Sequence, residues 1–469
     1  MLTGPGPGPV LIELGTGRGL PDDDALPGRP AWPGWLPPLL VALFVLGSAA
    51  AGAAPLPPPL SVLFSVPVRS GDPYVLTGDG TMLVHAPFAG TLSGYDLATG
   101  EARWQSRATM PAYRVRSASG LVLLRTRYTN RGDLGTLAVS ATTGKVRWRV
   151  GGSVLTVPGS PTLLGVSEVR SVAGEGRRIE GPVTGLDPAT GLARWTLPVT
   201  ATAVLLGVPA AGPPPAAGPP PAPGAGRPAG AVAADSAGAG ASAPMPRMLL
   251  VHADGTAVLH DLGTGRQLAT VRLPPADYAP GDPGVIGGML LLRHPNGVGS
   301  QVSAYDVTTL RQRWTRSAEA AYDMTGCGGL ACLIGPSGVR ALDPADGTQR
   351  WHRPGWRGVE QRGGVLLAYG SLSDTTDLIG VVEPETGRIA VPLPRWRPVA
   401  GEGGGDHLLV SRSGSPEGRT MVAVVHPGAA RPRPLGELPA GAGDCRAAPG
   451  RLVCRATDGN LVVWAYSWR

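Results

Sequence analysis

The chain has 469 residues, a formal net charge of +7, and 42% hydrophobic but only 5% aromatic residues. Of its 41 Lys+Arg residues only Lys145 is a lysine, and the arginines are scattered among acids, without the basic stripe interleaved with aromatics that nucleic-acid binders present, so nucleic acid is not an expected partner. With 71 glycines and 51 prolines the composition borders on low complexity and reads as GC-rich coding of the actinomycete kind.

Residues 1–35 are Gly/Pro-rich with an acidic run at Asp22–Asp24 and no apolar periodicity, which predicts disorder. Gly15-Thr16-Gly17-Arg18-Gly19 looks like part of a phosphate loop but lacks a strand–helix context. Residues 36–54 are uncharged and apolar and, with Trp35, long enough to span a bilayer as one helix. A cleaved signal peptide is the rival reading, with Ala51-Gly52-Ala53 as the cleavage site. The leader carries four acids against two arginines where a signal needs positive charge, which favours a retained anchor.

From about residue 60 to residue 469 one unit recurs. Its clearest copies are Tyr95-Asp96-Leu97-Ala98-Thr99-Gly100-Glu101-Ala102-Arg103-Trp104 and Leu186-Asp187-Pro188-Ala189-Thr190-Gly191-Leu192-Ala193-Arg194-Trp195. Further copies end at Trp148, Trp314 and Trp351, the last beginning at Asp343; those at Asp261 and Glu383 lack the Trp, and one around His426-Pro427-Gly428 is degenerate. Short aliphatic runs precede the turns, as in Leu121–Leu124 and Met289–Leu292, bounded by Gly, Pro and Asp, and these predict buried strands. In each turn the Asp side chain accepts backbone N–H groups and the Gly takes a positive φ, while the Trp offers a flat apolar surface to the next unit. A β-rich period of about forty residues predicts propeller blades. Nine inner hairpins can be counted; the preferred reading is an all-β propeller of about eight four-stranded blades with one hairpin degenerate, seven or nine being the alternatives. The segment Val62–Val68 is expected to add the outer strand of the last blade and so close the ring. Residues 209–246, rich in Pro, Ala and Gly, lengthen one repeat and are expected to be a disordered insertion.

The four cysteines form two local pairs, Cys327 with Cys332 and Cys445 with Cys454. Both separations are odd, as directly opposed residues of an even-looped hairpin require, and directly opposed Cα atoms lie within disulfide range. Zinc is the rival, but the Cys-x2-Cys spacing is missing and no His pair follows. Two disulfides imply an oxidising compartment, placing the repeat region outside the cytoplasmic membrane and residues 1–35 inside.

The Asp–Thr-Gly–Trp unit resembles the pyrroloquinoline-quinone-type propeller repeat. That resemblance implies that Asp96, Gly100, Trp104, Trp148, Asp187, Gly191, Trp195, Trp314, Asp343 and Trp351 are structural. Enzymes of this type bind the quinone with Ca²⁺ on the ring axis, and their alcohol-oxidising members carry adjacent cysteines and an Asp base. No Cys-Cys pair and no recognisable ligand set stand here; His252 and His260 fall on one hairpin without further metal ligands. No catalytic, cofactor-binding or metal residue and no cofactor is therefore assigned. Envelope-assembly lipoproteins and extracellular kinase sensor domains also resemble it, though this chain has no lipobox Cys and no kinase motif. The expectation is a non-catalytic, membrane-anchored, monomeric scaffold or sensor, binding an unknown protein or envelope ligand at a propeller face, with a quinoprotein dehydrogenase as the alternative.

Overall fold

The computed structural model describes residues 58–107, 112–126, 135–157, 160–171, 176–199, 202–208, 246–274, 283–296, 299–362, 364–372, 375–401, 407–414 and 418–468. The expected N-terminal tail (1–35), membrane helix (36–54) and insertion (209–246, all but its last residue) lie outside these. The described residues form strands and turns only, and no helix among them is long and apolar enough to cross a membrane.

The strands pair as antiparallel meanders in chain order, in eight sheets, with one short parallel pairing, Ala400–Gly401 beside Arg446–Ala447, added to the sheet of the C-terminal strands. Six are single four-stranded meanders, and the sheet holding the C-terminal strands takes its fourth strand, Leu60–Val66, from the N-terminal side. The eight-stranded sheet is two meanders, 153–197 and 203–272, joined where Arg177–Ile179 pairs with Ala203–Leu205. The described residues therefore build nine meanders, one more than the preferred expectation. The reason is visible in the eighth, 397–438. Its turn has lost the Asp–Thr-Gly sequence, yet Leu408–Ser413, Thr420–Val425 and Arg433–Leu438 still pair in order. Its pairing is carried by buried aliphatics such as Leu409, Val422 and Val424, and the turn motif is dispensable.

Burial explains why the sequence shows apolar runs rather than alternation. Strands in the middle of a meander, such as Leu330–Gly335 and Met248–Val251, are covered on both faces, while outer strands such as Ala102–Arg107 alternate towards solvent. The apolar side chains gather into nine clusters, and each lies between consecutive meanders. One joins Leu83 and Leu92 of the first to Val122 and Leu124 of the second. The cluster of Val453, Leu461 and Val463 with Tyr74, Met82 and Val84 joins the last meander back to the first. The described region is thus a closed ring whose core sits between the blades, a β-propeller. Closure uses the expected segment: Leu60 pairs with Tyr466 and Val66 with Leu461, so the outer strand of the final meander comes from the other end of the described chain.

Candidate functional site

The repeat residues assemble one local device. The Asp96 carboxylate accepts N–H groups of Ala98 (2.6 Å) and Thr99 (3.1 Å), and the Gly100 N–H donates to the Asp96 carbonyl (2.8 Å). Asp187 repeats this with Ala189 (2.8 Å) and Thr190 (3.1 Å), and Asp343 accepts from Ala345 (2.9 Å). The other carboxylate oxygen takes an arginine from the outgoing strand: Arg103 on Asp96, Arg194 on Asp187, Arg313 on Asp306 and Arg350 on Asp343. Sequence reasoning missed these arginines, although the signal is present: in each case the Arg stands immediately before the Trp.

The tryptophans reach across to the next meander. Trp104 donates its indole N–H to the Ala141 carbonyl (2.9 Å), Trp148 to Pro188 (2.8 Å), Trp195 to Leu262 (3.2 Å), Trp314 to Pro344 (2.8 Å) and Trp351 to Pro384 (2.6 Å). Each indole then lies against the turn glycine of that meander. At Gly191 (φ +70°) an added Cβ would come within 2.6 Å of the Trp148 ring. In the closing meander Phe64 plays the Trp part, lying over Gly100. One interface exchanges sizes. The fifth turn carries Leu310 (φ +54°) in place of Gly, and Ala269 stands where the fourth meander would present its Trp. Leu310 is buried in a cluster against which Ala269 and Val271 pack.

These ion pairs predict an acid-side stability loss. The Thr308 hydroxyl and the Arg313 guanidinium hold the Asp306 carboxyl well below the usual carboxylate range, and the Arg103 and Arg194 contacts lower Asp96 and Asp187. A carboxyl depressed in the folded state contributes stability that is fully present above its unfolded value of about 3.9 and is lost as pH falls through the folded value. The midpoint of urea unfolding should therefore drop between about pH 4 and pH 2, and Asp306→Asn should flatten that slope; an unchanged slope would contradict the assignment.

Both cysteine pairs are disulfides, Cys327–Cys332 with Cα atoms 5.9 Å apart and Cys445–Cys454 with 4.1 Å. The second is directly opposed, as the spacing predicts. It continues the Arg446–Val453 register into a bulge next to Gly443. The first is diagonal. The Gly328-Gly329 turn places Cys327 opposite Leu330 and Cys332 opposite Thr325, so the cysteines meet across one step of the ladder on a shared face. Replacing Cys445 and Cys454 by alanine should cost about 2–3 kcal/mol, read as a lowered unfolding midpoint under oxidising conditions; an unchanged midpoint would contradict the assignment.

Towards the ring interior, a cavity of about 480 Å³ opens between the inner strands of the first, second and last meanders, lined among others by Leu76, Thr77, Ser117, Gly401, Arg446 and Ala448. Beside it Tyr74 is fully buried, its hydroxyl set against the carbonyls of Asp444 and Val453 (3.1 Å to the latter). The Arg446 guanidinium stacks 4.7 Å above the Tyr74 ring, a cation–π contact. Its Nε is buried without a hydrogen-bond partner among the described residues. Burial, reinforced by Asp444, pushes the Tyr74 phenol well above its ordinary value, so it stays protonated and serves as a platform rather than a base. Neither Tyr74 nor Arg446 stands out in the sequence, since they lie at opposite ends of the described chain.

The family model described as outer membrane protein assembly factor BamB matches residues 60–207 and 222–365, well over half of the chain. The chain belongs to this family of PQQ-like β-propeller repeat proteins. No curated protein matches it. Among solved structures, BamB from Moraxella catarrhalis is 16% identical, covering 87% of this chain and 98% of that one, with a TM-score of 0.39. The computationally designed Ika8 protein is 11% identical over 86% of this chain and 99% of its own, with a TM-score of 0.40. A quinohemoprotein alcohol dehydrogenase from Pseudomonas putida HK5 is 11% identical over 73% and 79%, with a TM-score of 0.28. At such TM-scores these superpositions carry no argument, and membership rests on the family match.

For a BamB-family propeller the question is whether the interior fits the quinone and Ca²⁺ of the redox-active relatives. Among the described residues, those lining the interior cavity include no carboxylate to ligate Ca²⁺ and no indole to cover a planar ring. Among the described residues no group of three or more His, Cys, Asp or Glu comes together to hold a metal. His260, weighed from the sequence as a ligand, spends its Nδ1 on the Gly265 carbonyl (3.0 Å), and burial lowers its pKa. The described lining therefore does not fit the group. What it offers instead is a guanidinium held on an aromatic platform, an arrangement suited to binding.

Proposed function

We propose that this BamB-family protein is a non-catalytic, monomeric scaffold or sensor that lies outside the cytoplasmic membrane, is anchored by residues 36–54, and binds a protein partner at a propeller face. The observation that carries this reading is the use to which the repeat is put: in unit after unit the Asp, Arg, Gly and Trp side chains are committed to turns and to docking one blade on the next. The ring is left as a rigid frame whose open faces and loops are free to vary, the usual place for recognition. Two disulfides support an oxidising compartment.

The test uses the full chain in its own membrane, with a photo-crosslinking residue replacing Ser117 at the interior cavity and, as a control, Val146 on an exposed outer strand. One discrete protein adduct from position 117 and none from position 146 is expected. Robust dye-linked oxidation of alcohols or sugars after adding pyrroloquinoline quinone and Ca²⁺ would overturn the reading in favour of a dehydrogenase. A mature N-terminus near Ala54 would convert the anchored form into a secreted one.

A further inference from the structure

The inner strand of the last meander, Gly443–Ala448, is tied to its neighbour Arg451–Arg455 by the Cys445–Cys454 disulfide at the place where their pairing breaks. Ala448, Ala447 and Arg446 pair in step with Arg451, Leu452 and Val453, and the register then jumps to Gly443 opposite Arg455. Asp444 and Cys445 thus stand together against Cys454, the two-against-one count of a β-bulge. Asp444 is held at φ +43°, a left-handed conformation that residues with a side chain seldom adopt. Such a conformation persists only where its surroundings impose it, and the disulfide one residue away is the covalent part of those surroundings.

Contacts lead from this bulge to the interior cavity. The Asp444 carbonyl accepts the Tyr74 hydroxyl, which also lies 3.1 Å from the Val453 carbonyl. The Asp444 carboxylate meets Arg455 at 3.7 Å. Tyr74 carries Arg446 on its ring, and Arg446, with Ala447 and Ala448 of the same strand, lines the cavity. Ala400 and Gly401 pair with Arg446 and Ala447 and line it too. The two disulfides differ in access. Cys327, Cys332 and Cys454 are 0% exposed, whereas Cys445 is partly exposed. A reducing thiolate must reach a sulfur, and exposed or strained disulfides are the labile, regulatory ones.

We propose that Cys445–Cys454 is a redox switch that sets the shape of the interior cavity. The reductant is a dithiol, of the kind a thiol–disulfide oxidoreductase carries. One of its thiolates attacks the accessible Cys445 sulfur, forming a mixed disulfide and releasing Cys454 as a thiolate. Its second thiolate attacks the mixed disulfide and Cys445 leaves, so the protein gains two electrons and two protons while the dithiol becomes a disulfide. Without the cross-link Asp444 relaxes from its left-handed conformation and its carbonyl leaves the Tyr74 hydroxyl. Tyr74 and the Arg446 guanidinium stacked on it then lose their fixed positions beside the cavity. The oxidised protein is therefore the form with a formed cavity. The consequence for a partner rests on the binding reading above; the switch itself does not.

The experiment equilibrates the purified, oxidised full chain with graded ratios of reduced to oxidised dithiothreitol, alkylates the free thiols and reads each cysteine by peptide mass spectrometry. Cys445 and Cys454 should be alkylated at ratios at least about tenfold lower than those that open Cys327–Cys332. Hydrogen exchange of backbone amides then compares the oxidised chain, the selectively reduced chain and the variant Cys445→Ala/Cys454→Ala. Exchange at 74–78 and 443–448 should quicken about tenfold or more in the reduced chain and in the variant, with Met289–Leu292 of the fifth meander unchanged. Selective reductant should no longer alter exchange in the variant. Opening of both disulfides at one ratio, with exchange quickening throughout the ring, overturns the proposal. Selective reduction that leaves exchange at 74–78 unchanged overturns it as well. Neither readout needs a partner: if both come out as expected and position 117 crosslinks nothing, the binding reading falls while the switch stands.

Discussion

Replacing Trp148 by alanine is expected to destabilise the ring by about 3–5 kcal/mol, the range for deleting a buried aromatic side chain. Trp148 is only 7% exposed, donates its indole N–H to the Pro188 carbonyl at 2.8 Å, and fills the space above Gly191. The substitution removes the transfer energy of the indole, leaves a cavity between the second and third meanders, and orphans a carbonyl. The reciprocal change, Gly191→Ala, should also be costly. It forces a side chain into a conformation with φ +70° and drives a Cβ to 2.6 Å from the ring. Trp195, partly exposed in the same role, should cost less. Chemical denaturation followed by far-UV circular dichroism measures all three. A loss below about 1 kcal/mol for Trp148→Ala would refute the view that the repeat Trp holds blades together.

The second large effect is expected at the interface where the sizes are exchanged. Ala269→Trp restores the repeat residue but sets an indole against Leu310, and overpacking of this kind costs about 1–3 kcal/mol. Leu310→Gly relieves a left-handed conformation but empties a site where Leu310 is 2% exposed; the loss of the side chain outweighs the relief, by about 2 kcal/mol or more. Combined, the two substitutions recreate the Trp-on-Gly contact of the other interfaces. The double variant should therefore be more stable than the sum of the singles predicts by about 1–3 kcal/mol, the coupling of residues that share one space. Additivity within about 0.5 kcal/mol would mean that Ala269 and Leu310 do not compensate one another.

Much of this frame can be read from the chain. The turn at Asp96-Leu97-Ala98-Thr99-Gly100 is decided within a few residues by a side-chain carboxylate and a glycine, so its copies are visible wherever they occur. The closing role of Val62–Val68 follows because the last meander is short of an outer strand, and Phe64 occupies the Trp position there. The Cys445–Cys454 pairing follows from hairpin arithmetic around Pro449-Gly450, while Cys327–Cys332 departs from it because the Gly328-Gly329 turn shifts the register. The arginine on Asp96, Asp187, Asp306 and Asp343 was equally legible and was hidden only by the more conspicuous Trp beside it.

The number of meanders was harder to read, because a degenerate turn such as that near His426 is indistinguishable in sequence from a lost blade; buried side chains on neighbouring strands keep it in the ring. The sites were not legible at all. Arg446 and Tyr74 come from different blades, and nothing in the chain near either of them marks it. The sequence by itself determined the local unit, since a hairpin's strands, turn and docking residue lie within one stretch of chain and obey short-range hydrogen bonding and alternation. Only the tertiary structure decided how many units close the ring and which side chains meet inside it, because both depend on how apolar faces from distant segments pack together.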